Sequence, residues 1–131
     1  MDATMIRGLK QVAQYAPDLE EAVAFYRDVL GLEHQATFDP PGLAFLVLGR
    51  GTRLLLDRNA ATPRALLYLE VDDIHAAAAD LRRRGVALEG EPHLVHRHDG
   101  TFDVAGVEEW MVFFRDPADN QLALASRVTP G

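Results

Sequence analysis

The sequence predicts an α+β fold of two tandem β-α-β-β-β modules whose curved sheets surround a cleft. Three observations carry that expectation. A short strand-like run near the amino end leads into an apolar run with helical spacing; three further strand-length runs follow, separated by Pro- and Gly-rich turns; and the same order then begins again. At an offset of 55 positions Gln11 meets Leu66, Asp18 meets Asp73, and Leu19 meets Ile74. A sheet carrying one helix leaves its other face to be covered, so the expectation is a single domain over residues 1–131, with modules at about 7–59 and 64–127.

In the first module a strand is predicted from Leu9 to Tyr15. The positions Leu19, Val23, Phe25, Tyr26, Val29 and Leu30 then line one helix face, with Asp18 as N-cap, Glu20 and Glu21 in the first turn, and Gly31 as the stop. Leu32 to Phe38, Leu43 to Leu48 and Thr52 to Asp57 read as strands, because Pro40-Pro41-Gly42 and Gly49-Arg50-Gly51 are turn sequences. The second module supplies a strand at Leu66 to Val71 and a helix at Ile74 to Arg84. Strands are then predicted at Val86 to Glu89, His93 to Arg97, Trp110 to Arg115 and Leu122 to Ser126. The segment Thr101 to Val107 reads as either a surface loop or a lid.

A chain of 131 residues with 48% hydrophobic and 25% charged residues has the composition of one folded unit. Its 20 acidic and 13 basic residues give a formal charge of -7, which argues against nucleic acid and anionic membranes as partners. Without cysteine there is no disulfide or thiolate chemistry, and only His and carboxylates remain as strong side-chain metal ligands. The start Met1-Asp2-Ala3-Thr4 lacks a leader pattern, and no window reaches the ~20 apolar residues that span a bilayer. A cytoplasmic protein is the expectation.

The run from Asp18 to Leu32, above all Phe25-Tyr26 followed by Leu30-Gly31-Leu32, resembles the first helix of the vicinal-oxygen-chelate superfamily of glyoxalases, bleomycin-resistance proteins and extradiol dioxygenases. Phe113 to Asn120 resembles that family's turn before its final strand, and Leu69 to Ile74 its second strand-to-helix junction. The resemblance implies metal ligands on the first and last strands of each module. Carried over, those positions are Gln11, Leu55, Leu66 and Ala123. Leu and Ala offer no lone pair to a cation and a lone Gln amide is a weak ligand, so no metal and no cofactor are expected.

Four of the residues expected to bind ligand are therefore Gln11, Leu55, Leu66 and Ala123, joined by His96 and Trp110. The leading expectation is a metal-independent small-molecule binding or sequestration protein, a homodimer by family likeness, taking an apolar or mixed-polarity ligand. An atypical lyase, isomerase or dioxygenase is the alternative, with His96 and His98 as catalytic residues beside Glu91, Glu108 or Glu109. On an ideal strand His96 and His98 share a face while His93 points the other way. A non-catalytic protein-interaction module is the third reading.

Overall fold

The computed structural model describes residues 5–130; Met1 to Thr4, read above for a leader, lie outside the described residues. It is an α+β fold of two four-stranded mixed sheets, each with its own helical segment. The chain divides into two compact units, residues 1–65 and 66–131.

In the first unit, β1 (Gln11–Tyr15) is followed by helix α1 (Leu19–Ala24) and then β2 (His34–Phe38), β3 (Leu43–Gly49) and β4 (Thr52–Asp57), in the sheet order β1-β4-β3-β2. Asp18 caps α1, accepting a hydrogen bond from the Glu21 amide at 3.0 Å. The helix widens into a π-helical segment, Phe25–Val29, in which the Leu30 amide donates to the Phe25 carbonyl at 3.1 Å. Gly31, at φ 79°, then reverses the chain in a conformation that a side chain disfavours.

The second unit repeats the plan with β5 (Leu67–Glu70), α2 (Ile74–Arg83), β6 (His93–Arg97), β7 (Glu108–Arg115) and β8 (Gln121–Val128), ordered β5-β8-β7-β6. Asp73 caps α2 through the amides of His75 and Ala76, as the repeat predicts from Asp18. Two expectations are corrected. Val86 to Glu89 forms no strand; Leu88 makes one isolated bridge to Phe114. A bulge between Leu94 and His96 shifts β6 by one residue, so His93 pairs with Met111 and His96 with Glu109, on one face rather than two.

Strand register divides each sheet into a helix-side face and a helix-free face. In unit 1, Ala44, Leu46, Leu54 and Leu56 are fully buried on the helix side with Leu19, Ala22 and Val23 of α1. In unit 2 the same layer holds Val112, Phe114, Leu122 and Leu124 with Ile74, Ala78 and Leu81. Burial of the Leu, Ile, Val and Phe side chains among these stabilises by about 1.5–3 kcal/mol each, so each layer holds its own unit in its fold. The alternate residues of each strand are left on the helix-free faces.

Candidate functional site

On the helix-free face of unit 1, parallel pairing of β1 with β4 sets Gln11 beside Arg53 and Ala13 beside Leu55. Antiparallel pairing of β3 with β4 then adds Phe45 beside Leu55. The Arg53 Nε donates to Gln11 Oε1 at 3.1 Å, and its guanidinium carbon lies 5.6 Å from the centre of the Phe45 ring. Gln14 faces the opposite way: it is fully buried and clamps Ala65 through two 2.7 Å hydrogen bonds.

On the helix-free face of unit 2, Tyr68 and Phe113 flank Ala123 in register, and their rings meet edge to face at 6.5 Å. Leu66 precedes Tyr68 by two residues and remains 37% exposed, while Tyr68 is 55% exposed. His93 stacks on Phe113 at 6.3 Å, and His96 meets His98 edge to face at 4.9 Å. His98 is 7% exposed, its Nδ1 has no hydrogen-bond partner, and its Nε2 lies 3.8 Å from Glu109 Oε1, beyond a hydrogen bond. Nearby, Arg127 grips Asp103 through two bonds of 2.7 and 2.8 Å and ties the 99–106 connection to β8. Hydrogen bonding from Arg127, then from the Val104 amide, holds the Asp103 carboxyl far below the usual carboxylate range.

Leu66, Ala123 and His96 thus share one helix-free face, and Gln11 and Leu55 share the other. Trp110 lies on the helix side of its sheet, paired with Ser126, with its ring against His75 at 5.4 Å and its Nε1 donating to Glu108 at 3.0 Å. Sequence reasoning missed Arg53; its signal is a cation two residues before Leu55, on the same face of the strand. It also missed a cavity of about 750 Å³ in unit 1, between α1 and the β2 edge. The polar groups of that cavity are largely satisfied internally, with Arg58 on Asp39 and His34 on Thr37 at 2.7 Å.

The residues do not fit the metal that the fold family implies. Arg53 holds the only side-chain oxygen among Gln11, Leu55, Leu66 and Ala123, and a guanidinium and a metal ion compete for the same lone pairs. Among the described residues, no three His, Asp or Glu side chains converge as a metal site.

Known proteins agree with this architecture. The Glyoxalase/Bleomycin resistance protein/Dioxygenase superfamily model matches residues 8–124, and the chain belongs to that superfamily. It is 34% identical to the ethylmalonyl-CoA/methylmalonyl-CoA epimerase of Cereibacter sphaeroides, across 69% of this chain and 81% of the relative. It is 29% identical to human mitochondrial methylmalonyl-CoA epimerase, across 69% of this chain but only 61% of that relative's length. Among solved structures, the antibiotic binding protein TnmS3 from Streptomyces sp. CB03234 superposes with a TM-score of 0.71 at 24% identity, over 95% of this chain and 98% of that one.

Proposed function

We propose that this chain is a metal-independent small-molecule binding or sequestration protein, a homodimer that takes ligands of apolar or mixed polarity on the helix-free faces of its sheets. One observation carries the reading: hydrocarbon stands at Leu55, Leu66 and Ala123, and the Gln11 amide oxygen is engaged by Arg53. Exposed Tyr68 and half-buried Phe113 add aromatic area beside Ala123, the kind of surface on which shape-selective burial operates. The fold itself is neutral on this point, since one fold hosts binding and catalysis alike.

Thermal-shift measurement of a library of hydrophobic and amphiphilic compounds in excess chelator tests the reading. A true ligand at a hundred times its Kd adds about 2.7 kcal/mol of stability, with or without chelator. Leu66→Asp or Leu55→Asp removes that gain. Stabilisation that vanishes with chelator and returns with a divalent metal contradicts the reading.

The buried His98, with its Nδ1 unpartnered and its Nε2 3.8 Å from Glu109, favours a second reading: proton transfer. The relatives named above are epimerases, and epimerisation at carbon removes a proton and returns it to the other face. Deuterium entering methylmalonyl-CoA from D2O with this protein, and not with His98→Asn, supports that reading; no exchange removes it.

A further inference from the structure

We propose that Arg53 anchors a carboxylate site on the helix-free face of unit 1, and that the ligand it takes is an organic acid with a flat, apolar body. The inference rests on the small-molecule reading above and names its ligand class. Arg53 is half-buried on an inner strand of the sheet, yet no carboxylate of the described residues lies within ion-pair distance of it. Arg58, Arg97, Arg115 and Arg127, all more exposed, each meet one. A partly desolvated guanidinium without a counter-charge is costly, and the Phe45 ring face offsets only part of that cost. An anionic ligand removes the remainder.

The geometry selects the anion. Gln11 occupies the Nε position, which fixes the plane of the guanidinium and closes its side-on edge. The end carrying Nη1 and Nη2 keeps two parallel N–H groups, the spacing that the two oxygens of a carboxylate match. Beyond that fork the face turns apolar: Leu55 is two residues along the same strand, with Ala13 and Phe45 on either side of it. Phe38, 53% exposed, meets the Phe45 ring edge to face at 5.9 Å and extends the aromatic surface. Charge at one end and hydrocarbon beyond it describe an aryl or alicyclic carboxylate.

Isothermal titration of 2-naphthoate against its neutral isostere 2-naphthamide tests this on the full chain. Wild type is expected to bind 2-naphthoate at least ~10-fold tighter, the contribution of a charge-assisted bidentate pair. Arg53→Met brings both probes to the affinity of the amide, and Arg53→Lys, which keeps the charge and loses the fork, recovers only part of the preference. Equal binding of the two probes to wild type, or a preference that survives Arg53→Met, overturns the carboxylate site and leaves the small-molecule reading standing. Failure of both probes to bind wild type overturns the carboxylate site together with the reading for this face.

Discussion

Arg53 and Asp116 show how single residues divide between binding and stability. Asp116 is 5% exposed and accepts hydrogen bonds from the Ala118 and Asn120 amides at 2.9 and 2.8 Å, and from the Asn120 side chain at 2.9 Å. It organises the turn that aims Leu122 and Leu124 into the core, so Asp116→Ala is expected to lower unfolding free energy by about 2–3 kcal/mol in urea titrations. Asp103 acts instead through pH. Its folded-state pKa is depressed, so its stabilisation is complete above the ordinary carboxyl value of 3.8 and is lost as pH falls through the lower folded value. Asp103→Asn is therefore expected to flatten the acid limb of the stability curve and leave the region above neutrality parallel to wild type. At this scale alternation within one strand was legible: it puts Gln11 and Gln14 on opposite faces and His96 and His98 on one, whereas Leu55 comes from the family resemblance and joins Gln11 only through the register of β1 on β4. Arg53 was not legible, because its partner Gln11 is 42 residues away and only the parallel register of β1 on β4 joins them.

Among the elements, the helices were clear in sequence, and β6 was predicted with its observed bounds, His93 to Arg97, but without its bulge. Asp18 and Asp73 announce their helices because a carboxylate before an apolar periodic run satisfies amides that the helix leaves open. Asp73→Ala is expected to cost about 1 kcal/mol, read as a fall in denaturation midpoint with an unchanged slope. Ideal alternation fails in β6 because the bulge at Val95 inserts one residue, and that insertion brings His93 onto the face of His96. The Val86 to Glu89 run has strand-like composition yet gains only one bridge, Leu88 to Phe114, with the Glu89 amide donating to the Phe113 carbonyl, on the short stretch of β7 beyond Met111 that β6 leaves unpaired. The 99–106 connection exposes Phe102 and Val104, while Asp103 between them is held by Arg127 of β8.

At the scale of the whole molecule, the proposed homodimer draws on apolar side chains left exposed at Met5, Ile6 and Leu9. Light scattering after gel filtration is expected to give twice the 14.5 kDa chain mass, and Ile6→Asp with Leu9→Asp to return it to one chain. The formal charge of -7 per chain gives organic acids no long-range attraction, so any preference for them comes from Arg53 locally. The central claim is that binding here has replaced metal chemistry. Native mass spectrometry with elemental analysis, on protein purified without chelator and then equilibrated with zinc, nickel or manganese, tests it most directly. The account predicts metal-free protein that still takes up an organic ligand mass, with uptake weakened by Leu55→Asp or Leu66→Asp. One divalent metal per chain, retained through desalting and lost in Gln11→Ala or His98→Asn, would contradict it.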